Sequence, residues 1–223
     1  MRARAVPEAD LEGLLDPDSG GWARADVATL KLEGTPLGLQ PTGLIRAAWA
    51  DRKIGAVDRA RVAAVHDGRR LAFRLEWSDP SEDRVLGDND SFPDAAAVVL
   101  PAREKAPLVT MGAPGLAVNA WYWRADDAHA RNVVAEGLGS SRSVDATPVQ
   151  ARGVWREGRW RVVIARALRV DTALPLAQLD PGEATGFGVA VWDGGSAERA
   201  GIKAYSGPRW LELRLDDLPE AGR

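Results

Sequence analysis

Alternation of hydrophobic and polar residues dominates this chain and predicts β-strands. The clearest example is residues 70–77 (RLAFRLEW), in which every second residue is a large apolar one. Alternate side chains point to the same face of a strand, so this segment predicts a half-buried strand with one wet face. The segment 61–65 precedes it across the sequence His66-Asp67-Gly68-Arg69, in which Asp-Gly is a strong hairpin signal. The two segments therefore predict a β-hairpin, with His66 as an exposed turn residue.

The same pattern recurs and defines the expected fold class. Further strands are predicted at 95–100, 117–123, 150–156, 159–168, 186–192 and 209–215. Helical signal is thin: residues 125–137 could form a short helix capped by Asp126 or Asp127, and 172–179 a turn or two. Residues 137–148 read as a long loop. The sequence thus predicts a mainly β protein, a single-domain β-sandwich over residues 1–223 with a few short helices and long loops.

Composition narrows the chemistry without naming a function. The 223 residues carry 29 Lys and Arg against 32 Asp and Glu, a net charge of −3 that gives no footprint for nucleic acid or anionic membrane. The absence of Cys excludes disulfides, thiolate iron–sulfur clusters and Cys-based zinc sites. No stretch of about 18 apolar residues predicts a membrane span, and residues 1–15 lack the apolar run of a secretory signal.

Most local motifs favour ordinary structure over chemistry. The stretch 86–94 contains Asp88, Asp90 and Asp94 but lacks the ligand spacing of a calcium loop, so it is interpreted as a solvated acidic turn. Gly186-Phe187-Gly188 lies inside a strand pattern and predicts close packing. No nucleotide-binding or nucleophile motif is present, and His129 lies in a polar stretch with no partner motif.

Three features resist that ordinary interpretation. Trp121-Tyr122-Trp123 places large aromatics on both faces of one strand, one of which could bind a flat sugar or macrocycle. Met111 is the only Met after the first residue, and it lies among glycines and a proline, where an apolar plug or a soft thioether ligand are both open. Lys203 is one of four Lys against 25 Arg, a scarcity compatible with chance or with a need for an amine that can lose its proton.

Four segments resemble one protein family. They are 109–126 (VTMGAPGLAVNAWYWRAD), 192–207 (WDGGSAERAGIKAYSG), 62–77 (VAAVHDGRRLAFRLEW) and 1–7 (MRARAVP). The chain resembles the gamma, or haem b, subunit of ethylbenzene dehydrogenase and of related molybdenum enzymes of the dimethyl sulfoxide reductase family. The likeness extends over essentially the whole length, and the first two segments are its most specific part.

The resemblance implies a β-sandwich that holds one non-covalent haem b between the side chains of Met111 and Lys203. Six-coordinate iron implies electron transfer rather than catalysis, since no position is open for substrate. We hypothesise that Trp121 or Trp123 and Tyr205 line the haem slot, with Asn119 or an Arg near the propionates. A carbohydrate-binding β-sandwich module is the alternative that composition leaves open.

The resemblance also implies an assembly and a compartment. The subunit would join a molybdopterin catalytic subunit and an iron–sulfur subunit in a heterotrimeric dehydrogenase or hydroxylase. It would pass electrons between the iron–sulfur subunit and an external acceptor such as a soluble cytochrome. The family is periplasmic, and we expect this chain to be exported folded with a partner that carries the signal.

Overall fold

The computed structural model describes residues 1–87, 90–145 and 147–218, which form a mainly β structure. Its strands are β1 Arg2–Ala5, β2 Val27–Lys31, β3 Glu33–Gly34, β4 Arg59–His66, β5 Arg70–Ser78, β6 Ala95–Pro101, β7 Val118–Arg124, β8 Arg131–Ala135, β9 Arg142–Ser143, β10 Gln150–Trp155, β11 Arg159–Ala167, β12 Ala184–Trp192, β13 Ala204–Tyr205 and β14 Leu211–Leu215. The α-helices are α1 Glu8–Leu14 and α2 Gly43–Ala48, and short 3-10 helices cover Gly20–Arg24 and Leu37–Leu39. Within the described residues, none of the helices is long and apolar enough to cross a bilayer.

A continuous hydrogen-bonded path, folded into two layers, forms the predicted β-sandwich. The strand order is β10-β11-β5-β4-β1-β14-β12-β6-β7-β8-β9. Strand β12 links the layers, because its first half (184–187) pairs with β14 and its second half (188–192) pairs with β6. Every predicted strand is present, and the β4–β5 hairpin turns at Asp67-Gly68 as expected.

The main core lies between the two layers and is rich in aromatic rings. Trp77 of β5 stacks on Trp160 of β11, with ring centroids 6.3 Å apart. Trp123 of β7 meets both rings edge-on, at 6.4 and 5.0 Å. Rings at these separations are in favourable stacked or edge-to-face contact. The inner face of β7 is therefore committed to holding the layers together.

The predicted helix at 125–137 is wrong. Residues 131–135 form β8, which pairs with β7 over the whole of its length. The residues expected to cap the helix instead bind arginines, since Asp126 accepts from Arg124 and Asp127 accepts from Arg131. The β-branched Val133 and Val134 suit a half-buried sheet, and strand pairing outweighs the local helical signal. Residues 172–179 also lack a helix, whereas α1 and α2 were not predicted.

The interpretation of His66 as an exposed turn residue is also wrong. The side chain is fully buried at the end of β4, and neither ring nitrogen makes a hydrogen bond. Burial lowers the pKa of His66, although the neighbouring Asp216 and Asp67 oppose that shift. A buried polar group without a partner costs stability.

We therefore expect His66→Leu to stabilise the protein by about 1–2 kcal/mol at pH 7. The native imidazole resists protonation, so the wild type loses stability as pH falls through 6.5. The stability advantage of His66→Leu over the wild type should therefore be larger at pH 5.5 than at pH 7. Chemical denaturation at the two pH values measures both effects. His129→Leu, at an exposed histidine, is the control. A variant no more stable than the wild type at either pH would contradict this reasoning.

The solvated-turn interpretation of 86–94 is wrong for Asp94, while Asp90 is exposed and Asp88 lies outside the described residues. Asp94 is fully buried and belongs to a carboxylate cluster with Asp79, Asp83 and Asp193, whose oxygens lie within 4.8 Å of one another. Burial, reinforced by the neighbouring carboxylates, raises the pKa of Asp79 to about 7. Burial raises the pKa of Asp94 to about 6, against hydrogen bonds from the Gly194 and Asp83 amides and the Trp160 indole.

These raised pKa values predict an unusual pH dependence. Between the unfolded pKa of about 3.8 and about 7 the native state holds more protons than the unfolded state, so this contribution to stability falls as pH rises. Solvent reaches the half-buried Asp83 and screens the repulsion between the carboxylates. We therefore expect the free energy of unfolding to fall by about 1–2 kcal/mol between pH 5.5 and 8 because of this cluster. The stability of Asp79→Asn relative to the wild type should therefore rise by that amount as the pH increases from 5.5 to 8. Asp90→Asn is the control, and parallel pH profiles for Asp79→Asn and wild type would refute the expectation.

Candidate functional site

An apolar cavity of about 420 Å³ lies on the outer face of the β12-β6-β7-β8 layer. Its floor is made of small side chains at adjacent strand positions: Gly188 and Ala190 of β12, Ala97 of β6 and Ala120 of β7. Small residues side by side leave a broad shallow floor instead of filling the space above the sheet. A volume in this range is typical of cofactor and ligand sites.

The sequence alone does not predict this floor, although small and large residues alternate along β12. Along β12, Gly186, Gly188 and Ala190 alternate with Phe187 and Val189, which enter the main core. Close packing at these glycines is confirmed, because a Cβ on Gly188 would stand 2.9 Å from Leu108 and one on Gly186 2.9 Å from Trp210. The large residues thus face the other layer, while Leu108 and Trp210 pack closely over the two glycines and Ala190 lines the open part of the outer face.

Met111 enters the cavity from the loop between β6 and β7. Its backbone is left-handed, with φ of 55°, and Gly112 follows at φ of 87°. Its amide donates to the Leu108 carbonyl at 2.9 Å, and its own carbonyl accepts from the Gly137 amide at 2.9 Å. A left-handed Met costs about 1 kcal/mol, and such strain is concentrated at functional positions. The loop therefore holds this side chain against a local cost.

Gly112 explains why the loop can take this course. A Cβ there would lie 2.7 Å from the carbonyl oxygens of both Ala135 and Leu116, so no side chain fits. The Thr110 hydroxyl also donates to the Gly112 carbonyl at 2.9 Å. Met111 then packs beside an outer apolar cluster that includes Val99, Leu108 and Ala120.

Lys203 reaches the same cavity from the segment before β13. Its backbone carbonyl accepts from the Thr35 amide at 3.0 Å, and the Gly201 carbonyl accepts from the Thr35 hydroxyl at 2.6 Å and the Gln40 amide at 3.1 Å. The segment around 35–40 thereby fixes the lysine backbone. The ammonium lies 5.4 Å from the centre of the Trp192 ring, which belongs to a second outer apolar cluster.

The Lys203 amine is unusually easy to deprotonate. Burial lowers its pKa to about 8, and the only opposing influence is the Glu198 carboxylate. At pH 7 about one amine in ten would then be neutral, against fewer than one in a thousand for an ordinary lysine. Its Nζ makes one long contact, 3.4 Å, to the Ala200 carbonyl. A neutral amine here is therefore available as a nitrogen ligand.

The charged side chains among the described residues that line the cavity are all positive. Among the described lining residues the charged ones are Lys203, Arg131 and Arg142, and no carboxylate is present. Arg131 of β8 is held by Asp127 at 2.7 Å, whereas Arg142 of β9 forms no ion pair with a described residue. The lining therefore suits a flat apolar group with acidic substituents. The Met111 thioether and the Lys203 amine also line the cavity and could contact such a group.

The structure brings some of the expected site residues together and separates others. Met111, Lys203 and Tyr205 all line the cavity. The hypothesis that Trp121 or Trp123 lines it, with Asn119 nearby, is corrected: all three are buried on the inner face of β7. Tyr122 takes the outward position and meets Trp192 edge-on at 5.4 Å. The alternation of β7 places Tyr122 on the face opposite to Trp121 and Trp123. It does not show which of the two faces the other layer covers.

Fold and cavity together define a β-sandwich protein with a cofactor-sized apolar site on one outer face. The fold is similar to that of a family 9 carbohydrate binding module from Caldicellulosiruptor kristjanssonii, with a TM-score of 0.55, 10% identity and coverage of 100% of both chains. That likeness concerns the fold alone. The chain belongs to the ethylbenzene dehydrogenase family, whose sequence model matches residues 19–147 and 138–204.

Two relatives are named as subunits of reductases. The chain is 39% identical to the chlorate reductase subunit gamma of Ideonella dechloratans over 161 residues, 72% of this chain and 66% of that subunit. The aligned region thus spans slightly less than two thirds of that relative. The chain is also 30% identical to a putative respiratory nitrate reductase heme subunit of Haloferax mediterranei over 227 residues, 99% of this chain and 77% of the relative.

Proposed function

We propose that this chain is an electron-transfer haem b subunit of a molybdenum-containing dehydrogenase or reductase complex, without catalytic activity of its own. The observation that carries the proposal is that Met111 and Lys203 both line one apolar cavity whose described lining contains no carboxylate. Family membership and the names of the relatives, a gamma subunit and a heme subunit, support it.

The residues present fit a haem, and each has a definite role. The Met111 thioether and the neutral Lys203 amine would be the axial ligands, one soft and one nitrogenous. Arg131 and Arg142 would receive the two propionates, because arginine binds carboxylates through paired hydrogen bonds. The floor of Gly188, Ala97, Ala120 and Ala190 would lie against the macrocycle. When bound, the haem supplies reversible one-electron exchange between the ferric and ferrous states.

The protein's own contribution is to prepare both ligands before the cofactor arrives. The Gly112 turn fixes the Met111 backbone, and the contacts from Thr35 and Gln40 fix that of Lys203. Burial makes loss of the lysine proton easier, so less free energy is spent in generating the ligand. Filling both axial positions leaves none for oxygen or substrate, and this is the reason to assign electron transfer.

The proposed assembly has three parts. A molybdopterin catalytic subunit carries out the oxidation or reduction, an iron–sulfur subunit relays the electrons, and this chain exchanges them with an external carrier such as a soluble cytochrome. We place the complex in the periplasm, reached folded together with a partner that bears the export signal. Co-purification from the native host, followed by mass spectrometry of the subunits, tests this assembly.

Absorption spectroscopy of the full chain tests the cofactor. The protein, purified with haem or reconstituted with haem b, should bind one equivalent and show a sharp Soret band with the narrow reduced bands of six-coordinate, low-spin iron. A polypeptide that stays colourless after reconstitution would refute the proposal. Binding of glucose or a cello-oligosaccharide by that colourless protein would instead support a carbohydrate-binding module.

A further inference from the structure

Arg166 of β11 is the most deeply buried cation among the described residues. The residue is only 2% exposed. Its guanidinium donates to the Ala167, Leu168 and Ala177 carbonyls and, at 2.8 Å, to the Asn119 side-chain oxygen. It also lies over the Trp121 ring, 4.8 Å from the ring centre.

None of these partners carries a negative charge. Burial alone lowers the pKa of Arg166 to about 10, with no carboxylate acting on it, so the group stays charged at pH 7. On the outer face of the same layer, by contrast, the arginines have a carboxylate partner: Glu76 pairs with Arg61, Arg74 and Arg159. An uncompensated buried charge is costly, and neutral donors could have satisfied the same carbonyls.

The charge lies directly behind the cavity floor. Asn119, which accepts from Arg166, and Ala120, which forms part of the floor, are consecutive residues of β7 and point to opposite faces. The guanidinium is therefore separated from a group on the floor by one strand layer, on the order of 10 Å, the spacing of packed sheets. The intervening material is protein without bulk water, in which charges are weakly screened.

We propose that Arg166 tunes the reduction potential of the cofactor held in this cavity, its positive charge favouring the reduced state. This inference rests on the proposed haem-binding function. Reduction of a ferric centre adds one electron and removes one positive charge from the site, so a fixed cation beneath the floor makes the electron easier to accept. Arg166 is a tuning residue, since it touches neither the cavity nor its ligands.

Spectroelectrochemical titration of the haem-loaded full chain tests the proposal. Arg166→Gln removes the charge and keeps a hydrogen-bonding side chain, so it should give a roughly tenfold lower ferrous-to-ferric ratio at a fixed solution potential. Arg152→Gln removes the same charge from an exposed position on β10, where the side chain is 63% exposed, and should leave the ratio unchanged.

Asn119→Asp provides a second test that leaves the arginine in place. The new carboxylate would accept the same bonds from Arg166, Trp121 and Ala177 and would neutralise the guanidinium. The substitution removes the Asn119 amide that donates to the Asn132 side-chain oxygen and to the Val133 carbonyl. A flip of Asn132 would turn its amide nitrogen, which has no partner, towards the new carboxylate, and the Val133 carbonyl would lose its side-chain donor. A lower potential in this variant shows that a charge behind the floor acts on the haem, which the role of Arg166 requires, even where Arg166→Gln fails to fold.

The outcomes separate this inference from the proposed function. A wild-type chain that binds no haem refutes both. A chain that binds haem, with Asn119→Asp at the wild-type potential, overturns the role of Arg166 and leaves haem binding intact. A shift in Arg152→Gln as large as that in Arg166→Gln also overturns it, because net charge and not position would then be responsible.

Discussion

Replacing Met111 by alanine is expected to open one coordination position of the bound haem. The ferrous variant should bind carbon monoxide, which the proposed six-coordinate iron of the wild type would exclude, and its reduction potential should fall because a thioether ligand favours ferrous iron. The side chain is only partly buried, so the accompanying loss of stability should be modest, about 1–2 kcal/mol. A carbon monoxide difference spectrum and a potentiometric titration measure the two effects.

Two further variants separate ligation from packing. Met111→Leu keeps the apolar volume and removes the sulfur, so it should reproduce both spectroscopic effects. Leu108→Ala truncates a buried neighbour in the same apolar cluster and should lower stability while the spectrum stays six-coordinate. Carbon monoxide insensitivity and an unchanged potential in both Met111 variants would show that the sulfur is not a ligand.

The long strands could be predicted from the sequence because each carries its own evidence. Strands such as β5 and β11 extend over nine residues, long enough for alternation to be unambiguous. Strands β3, β9 and β13 have two residues each: β9 pairs with the longer β8, β13 pairs with the longer β12, and β3 pairs in turn with β13. Strand β8 shows the same dependence, since its pairing with β7 replaced the predicted helix. Nonlocal pairing is what local periodicity cannot supply.

The candidate site divides in a similar way. Met111 and Lys203 were noticeable as rare residue types and were assigned through family resemblance, and the fold brings both to one cavity. Tyr205 lines the cavity as expected, but the assignments of Trp121 and Trp123 failed because these rings face inward on β7 and Tyr122 faces outward. Which face meets the other layer depends on its partner strands. The Gly186-Phe187-Gly188 pattern indicates close packing, and the sequence does not predict the cavity floor.

The burial of the tryptophans also bears on the alternative function. A sugar platform requires a flat aromatic ring open to solvent, and none of the nine tryptophans is exposed. Seven are buried, and Trp155 and Trp210 are partly so, each with its indole nitrogen bonded to a backbone carbonyl. Abundance of Trp, which suggested a binding face, instead reflects an aromatic core. The outer cavity is therefore the better candidate for ligand binding.

Replacing Ala120 by phenylalanine is expected to block haem binding while the fold is retained. The alanine side chain forms part of the cavity floor and is 5% exposed, so a larger ring must enter the space above β7. Overpacking costs about 1–3 kcal/mol. If the upper end of that cost is lost from the free energy of haem binding, the affinity falls by about 100-fold. Haem titration followed at the Soret band measures the affinity.

The position itself supplies the matched control. Ala120→Ser keeps the floor low and should bind haem as the wild type does, while far-ultraviolet circular dichroism and thermal unfolding establish that both variants are folded. Since the cavity is an open volume of about 420 Å³, the aromatic ring has room that a closed core would deny it. A folded Ala120→Phe protein with wild-type haem affinity would mean that the haem binds elsewhere. The proposal that Met111 and Lys203 hold the haem in this cavity would then be wrong.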